Sequence, residues 1–469
     1  MVAIDPRLRS TYADASWTPF WLDRDERPPA RAALEGAHTV DLAIVGAGFT
    51  GLWAALQALE DMPGREVMVL EGERVAFGAS GRNGGFCEAS LTHGLENGLR
   101  RFPAEIDRIE QEGRENLDGI TQAIERYGID CTWEATGTLA VATELHQVQW
   151  CRDAVPHLTA HGHEVSFLDR EAVRAEVNSP LYLGAFWRKD GGACIDPARL
   201  AWGLAAAAER LGARIHEQSM VTSIEDDGDS VIVRTALGQV RARRVILGTN
   251  AFPPLRKKLQ RYILPVYDYV LMTEPLGPER KAAIGWANRQ GLADMNNQFH
   301  YYRLTADDRI LWGGYDAIYH WNNTVDPQHE RRDATYSLLA KQFFETFPQL
   351  EDLRFSHAWA GAIDTCSRFS VFFGREFDGK LAYAAGYTGL GVGATRWGAR
   401  VCLDLVDDLQ TARTQLSLVR TKPLPFPPEP LRSVGVWLTR RALARADRRQ
   451  GRRGLWLKLL DAVGLGFDS

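Results

Sequence analysis

Val40-Asp41-Leu42-Ala43-Ile44-Val45-Gly46-Ala47-Gly48-Phe49-Thr50-Gly51, followed by Val67-Met68-Val69-Leu70-Glu71, decides how this chain folds. It reads as strand, glycine turn, helix, strand, acid. Gly46, Gly48 and Gly51 stand at the G-x-G-x-x-G spacing. The first permits a tight turn, the second lets a pyrophosphate approach the backbone, and the third lets helix pack on strand. Phe49 and Thr50 open the helix, where free N–H groups and the helix dipole favour a phosphate. Leu52, Ala55, Leu56 and Leu59 then recur on one helical face. Glu71 ends the second strand, placed to accept hydrogen bonds from ribose hydroxyls and to repel a 2′-phosphate. A dinucleotide site is expected here.

Two further glycine loops bear on which dinucleotide. Directly after Glu71 runs Gly72-Glu73-Arg74-Val75-Ala76-Phe77-Gly78-Ala79-Ser80-Gly81-Arg82-Asn83-Gly84-Gly85. A loop this dense in glycine brings successive N–H groups onto a phosphate or a flat ring. Gly72 and Ala79 to Gly85 (Ala79, Ser80, Gly81, Arg82, Asn83, Gly84, Gly85) are therefore candidate cofactor contacts. Near the C-terminus comes Gly386-Tyr387-Thr388-Gly389-Leu390-Gly391-Val392-Gly393-Ala394, leading into a helical pattern from Thr395 to Leu409. A helix N-terminus aimed at the pyrimidine end of a flavin stabilises the anionic reduced ring. Gly386, Tyr387, Gly389, Gly391, Val392 and Gly393 are the candidates there; a plain turn between last strand and helix is the alternative. The three loops together favour FAD over NAD.

In content and order these loops resemble the FAD-dependent amine and amino-acid oxidases of the D-amino-acid oxidase superfamily, sarcosine and glycine oxidase among them. Ala79 to Gly85 looks most like the γ-glutamylputrescine oxidase branch and the related aminophosphonate oxidoreductases. Tyr302-Arg303-Leu304-Thr305 and Arg309-Ile310-Leu311-Trp312-Gly313-Gly314 are similar to that branch as well. The resemblance covers most of residues 38 to 415. It implies a mixed α/β fold: a Rossmann-like FAD domain of the glutathione-reductase type, and a substrate domain with a large antiparallel sheet. It also implies that the position matching Val221 meets the adenine, and that Thr249 and Asn250 lie beside the cofactor. The expected division is an arm (1–37), FAD-domain parts at 38–92, 191–254 and 361–420, substrate-domain parts at 93–190 and 255–360, and a tail (421–469). Within it, Gly94 to Tyr127 reads as helix, Gly137 to Thr143 as strand, and Cys151 to Val177 as polar and helical. Asp196-Pro197 caps a helix from Ala198 to Leu211. Residues 213–247 read as strands, with turns at Asp226-Asp227-Gly228 and Leu237-Gly238.

The chemistry implied is oxidation of a C–N bond by hydride transfer to flavin N5, giving an imine that water hydrolyses to an aldehyde or keto product. The substrate is an amine or amino acid, with O2 as acceptor. A dehydrogenase passing electrons to a quinone or other carrier is the alternative, because the lysine that promotes O2 reaction in sarcosine oxidases has no counterpart in Ile310 to Gly314. A flavin monooxygenase and a non-catalytic flavoprotein are the other classes considered; no second G-x-G-x-x-G supports the first of these. Such a reaction needs a neutral amine, an aimed C–H and little water. Tyr267, Tyr269, the stretch Phe299-His300-Tyr301-Tyr302-Arg303 and Trp359 are candidate walls of the site, with core packing as the competing reading; His300 is read as a proton relay or a satisfied structural histidine. Arg303 is a candidate clamp for a substrate carboxylate or phosphonate; Arg309, beside Asp307 and Asp308, reads as a solvated hairpin residue. FAD is expected to dissociate, since Cys366 does not match the register of cysteines that attach flavin in some relatives.

Composition agrees. The 469 residues carry a net charge of −5, without the basic excess that would suggest nucleic acid. The N-terminal segment lacks the apolar core of a signal peptide and no stretch is apolar enough to span a bilayer, so a cytoplasmic location is expected. The six cysteines form no C-x-x-C pair and no zinc-spaced cluster, so no metal is expected. After the proline-rich Lys422 to Pro430, residues 431–460 are strongly basic with interleaved apolar residues. They are expected to dock on the body or a partner subunit, with contact to an anionic membrane surface as the alternative.

Overall fold

A computed structural model describes residues 5–466. Two large sheets make up the body. The first contains Phe372–Glu376, Leu381–Ala385, Gly238–Leu247, Gly36–Val45, Val67–Leu70 and Arg214–His216 in that spatial order, and the hairpin Ser223–Asp227/Ser230–Arg234 branches from Gly238–Leu247. Gly36–Val45, Val67–Leu70, Gly238–Leu247, Leu381–Ala385 and Arg214–His216 pair in parallel. Parallel strands are covered on both faces, which explains their nearly continuous apolar runs. The helix Phe49–Asp61 buries every residue from Phe49 to Leu59 against this sheet and against the helices Pro197–Arg210 and Gly391–Val406.

The second sheet forms the roof. Its order is Ile318–Tyr319, Leu264–Thr273, Ile310–Gly314, His300–Leu304, Gly291–Asp294, Thr138–Ala142, Gly184–Arg188 and Val165–Leu168, with Phe355–Thr365 along the free edge of Leu264–Thr273. The expected antiparallel sheet is thus nine-stranded and mixed, since Gly291–Asp294 and Thr138–Ala142 run parallel. A small ladder, Phe86–Glu88 with Gly192–Cys194, ties the second glycine loop to the chain leaving the roof.

Several elements differ from the sequence reading. The expected helix from Gly94 to Tyr127 is two helices, Leu95–Arg101 and Ile106–Tyr127, because Pro103 cannot continue the first. The segment read as helical from Cys151 to Val177 holds the end of the helix Leu145–Ala160, then the strand Val165–Leu168, then the short helix Arg170–Glu176. That strand pairs with Gly184–Arg188 across the sequence, a partner no local pattern announces. By contrast Asp196 caps Pro197–Arg210 as its type predicts, accepting from the Arg199 N–H.

Candidate active site

The first glycine turn is closed by contacts that leave no room for side chains. A methyl group on Gly51 would stand 1.9 Å from the Gly46 carbonyl oxygen, and one on Gly46, where φ is +102°, would stand 2.7 Å from the Gly248 carbonyl oxygen. Strand ends Val45 and Leu247 therefore meet backbone to backbone, with Thr249 and Asn250 half-buried just beyond. Glu71 accepts from the Ala47 N–H (2.7 Å) and the Glu73 N–H (3.0 Å). Burial raises its carboxyl above the ordinary range while those two bonds oppose the rise. Val221 is buried, following Met220, whose side chain lies against Gly72.

The second loop lies across this turn. Ser80 Oγ accepts from the Phe49 N–H (2.9 Å), one of the free donors at the helix start. Asn83 staples the loop to itself, donating to the carbonyls of Ala79 (2.9 Å) and Ser80 (3.0 Å) and accepting from the Gly85 N–H (2.8 Å). Gly81 would put a methyl group 2.3 Å from the Ala76 carbonyl oxygen. Arg82 is held by Glu330 (2.6 Å) and the carbonyls of Phe77 and Ala360.

The third loop hangs on a buried carboxylate that the sequence reading did not single out. Asp364 Oδ2 accepts from the Gly386 N–H at 2.6 Å. Burial raises the Asp364 carboxyl to about 6, against opposing bonds from the N–H groups of Gly386, Tyr387 and Thr388. Tyr387 reaches back to Thr50 on the first helix (3.1 Å). Gly389 and Gly391 remain accessible at the helix N-terminus, Val392 is buried, and a methyl group on Gly393 would stand 2.1 Å from the Glu88 carbonyl oxygen. The three loops, remote in sequence, thus meet in one place.

The roof turns one face toward these loops, and alternation along each strand decides which residues it presents. Asp268, opposite Gly361, and Tyr301, opposite Gly313, lie on the loop-facing side; Tyr301 packs against Gly84 and Phe86. The Tyr301 hydroxyl donates to Asp268 Oδ2. Burial raises the Asp268 carboxyl to about 6, and the Tyr301 hydrogen bond acts against that rise. Asp268, Tyr301, Gly361, Arg82 and Asn83 all keep partial accessibility although they lie between the layers, so a crevice separates loops from roof. A second cleft of about 240 Å³ opens beside the strand end, lined by Phe252, Pro254, Ile263, Pro265, Asn322 and Asp326.

Four aromatic candidates fall on the wrong face for this crevice. Tyr267, Tyr269, His300 and Tyr302 point into the outer core with Leu271, Trp312, Tyr336 and Phe343. Their polar atoms are engaged there: Tyr267 with the Asp326 carbonyl, Tyr269 with the His329 carbonyl, Tyr302 with Tyr182, and His300 with Asp294 (2.7 Å) and Gln342 (3.0 Å). Trp359 does lie on the loop-facing side, fully buried, its indole N–H on the Arg82 carbonyl at 2.8 Å. Arg303 shares that side but not the crevice. Its guanidinium donates to the carbonyls of Ile195 (2.6 Å) and Gly85 (3.3 Å), with Glu134 at 3.8 Å, so it braces the second loop from below and is not aimed at a substrate anion. Arg309 is tied to Asp307, Ser356 and the Thr273 carbonyl, more enclosed than a solvated hairpin residue.

A family model described as FAD dependent oxidoreductase (DAO) matches residues 41–405. The chain belongs to this family. Gamma-glutamylputrescine oxidoreductase of Escherichia coli K12 is 35% identical over 380 residues, covering 80% of this chain and 85% of that protein. Probable oxidoreductase OrdL of Haemophilus influenzae is 30% identical over 415 residues, covering 86% and 89%. Among solved structures, glycine oxidase from Geobacillus kaustophilus superposes with a TM-score of 0.68 at 20% identity, covering 82% of this chain and 99% of the other. The protein is accordingly an FAD-dependent oxidoreductase of the DAO family. The close-packed glycine turn, the helix start whose N-cap Gly48 has no side chain, and the open third loop suit FAD: Gly46–Thr50 would hold the pyrophosphate, Glu71 the ribose, and Asn83–Gly85 with Gly389–Gly391 the ring. Among the described residues no cluster of metal-ligating side chains occurs.

Proposed function

We propose that this DAO-family enzyme oxidises the C–N bond of a cationic amine, binding its nitrogen beside Asp268 and Tyr301. The observation that carries the reading is this pair, the polar centre of the roof face turned toward the loops. Arg82, the charged neighbour at the crevice, is neutralised by Glu330. A carboxylate with a phenol on it attracts an ammonium group and can take its proton, leaving the neutral amine that oxidation requires. Phe86, Tyr301 and Trp359 supply apolar walls that desolvate the nitrogen. When bound, FAD supplies the two-electron acceptor for the substrate's α-C–H. Loss of the α-hydride leaves the substrate's C–N bond as an iminium, which water hydrolyses to an aldehyde or keto product, releasing the nitrogen as ammonia or an amine.

O2 is the acceptor of this reading. A membrane carrier is the second, favoured by one observation: the strands and loops around the crevice, Glu71 to Gly85, Leu264 to Thr273, His300 to Gly314, Phe355 to Thr365 and Gly386 to Gly393, contain no lysine. The deciding experiment is an absorption spectrum of the purified holoenzyme with a panel of amines and amino acids under air. Bleaching by amines that lack an α-carboxylate, with recovery in air, is expected. Bleaching that persists in air selects the carrier, and bleaching by α-amino acids alone removes Asp268 from the recognition role.

A further inference from the structure

Residues 431–460 carry eight arginines and one lysine against a single aspartate, in a chain whose net charge is −5. The structure docks this segment firmly. Asp447 accepts from the Asn297 backbone (2.9 Å) and side chain (2.6 Å) and from the Gln298 N–H (3.2 Å), Arg440 pairs with Asp316 (2.9 Å), and Ala446 and Leu457 are fully covered. The two tail helices, Leu431–Asp447 and Leu455–Ala462, are joined by the Trp456 indole N–H on Thr439 Oγ1 at 3.0 Å.

Docking leaves an unusual outer face. Six of the seventeen large apolar side chains exposed on the described residues fall between residues 431 and 463: Leu431, Val434, Trp437, Leu455, Leu459 and Val463. A third of them in so short a stretch is a patch and not scatter. On the longer helix, Leu431, Val434, Trp437, Arg441, Arg445 and Arg448 recur at three or four residues, forming one stripe that passes from apolar to cationic. Arg441 lies over the Trp437 ring at 4.3 Å. Among the described residues Arg441, Arg445, Arg449, Arg452 and Lys458 have no carboxylate partner. Neither tail helix is long and apolar enough to cross a bilayer.

From this face we infer that the tail binds the surface of an anionic lipid bilayer. Apolar side chains and a tryptophan at the acyl boundary, with arginines among the headgroups, match both halves of such a surface. A second copy of the chain suits it poorly, because an antiparallel two-fold contact would cover Leu431 and Val434 with the cationic Arg445 and Arg448, and a parallel one would set the arginines against their own equivalents. The binding is peripheral, and it sets the whole flavoprotein on the membrane without a spanning segment.

The test is flotation of the full-length holoenzyme with phosphatidylcholine vesicles, with and without phosphatidylglycerol. Flotation only with phosphatidylglycerol, lost at high salt, is expected. Combined Arg441→Glu, Arg445→Glu and Arg448→Glu should weaken it about tenfold or more, and Trp437→Ser should weaken it at low salt. Retained flavin absorbance in each variant shows that the body is folded. Failure to float, equal flotation with neutral vesicles, or self-association that Trp437→Ser dissolves would each overturn the inference.

Discussion

Asp268 stands between Tyr267 and Tyr269, and Tyr301 between His300 and Tyr302, so each is one residue away from side chains that face the opposite layer. In a strand that single step decides between core and site. If Asp268 receives the substrate's proton, kcat/KM for an amine rises as pH passes upward through about 6, where the carboxyl ionises. Tyr301→Phe removes a bond that favours the ionised form, so this limb should move to higher pH, and Asp268→Asn should abolish it. Profiles that superimpose for all three proteins would refute the assignment. Arg303 leads to an opposite expectation from an anion clamp. Arg303→Ala orphans the buried Ile195 carbonyl, at about 1–3 kcal/mol for one unsatisfied group, while the Gly85 carbonyl keeps the Ile195 N–H at 2.8 Å. Denaturant titration should show that loss along with weaker FAD retention, while the KM ratio between acidic and neutral amines stays put.

Among the elements, the glycine loops are held by polar residues on neighbouring strands and not by their own chemistry. Asp364, near the end of the long roof strand, gathers the N–H groups that open the third loop. Asp364→Ala should cost about 1–3 kcal/mol and loosen FAD, and equilibrium unfolding with a fluorescence titration of the apoprotein checks both. The sequence showed the loops plainly, because glycine spacing is a local signal with a steric cause. It also showed the strands Gly36–Val45 and Val67–Leu70 and those between residues 213 and 247, apolar runs bounded by turns, and the capped helix after Asp196, but not the edge strand Phe372–Glu376. It did not show which roof residues face the cofactor. In Leu264-Pro265-Val266-Tyr267-Asp268-Tyr269 both faces are buried, so alternation of polarity is lost and aromatic content alone misled the choice. The lone acid between two tyrosines was the usable clue: a carboxylate in a strand covered on both sides must answer to something. The strand Val165–Leu168 was hidden for another reason, since its partner Gly184–Arg188 is made only after an intervening helix.

At the scale of the molecule, we propose that the layers hold FAD without a covalent link. Cys366, the cysteine near the third loop, is fully buried and its thiol is turned toward the backbone carbonyls of Ser370 and Gly386. Burial raises this thiol, which further disfavours the reactive thiolate. Acid precipitation of the holoenzyme should therefore leave a yellow supernatant and a colourless pellet; a yellow pellet would establish attachment.

The order of strands in the first sheet also governs how the enzyme is made. Gly36–Val45 leaves the ribosome early, yet one of its neighbours is Gly238–Leu247, and that strand in turn waits for Leu381–Ala385. Until then the nascent chain carries an apolar strand with an open edge, the kind of surface that holdase chaperones cover. The third loop follows Leu381–Ala385 directly, so synthesis must run almost to the tail before the nucleotide cradle can close. A translation complex stalled before Leu381 holds every residue of the first motif and no flavin.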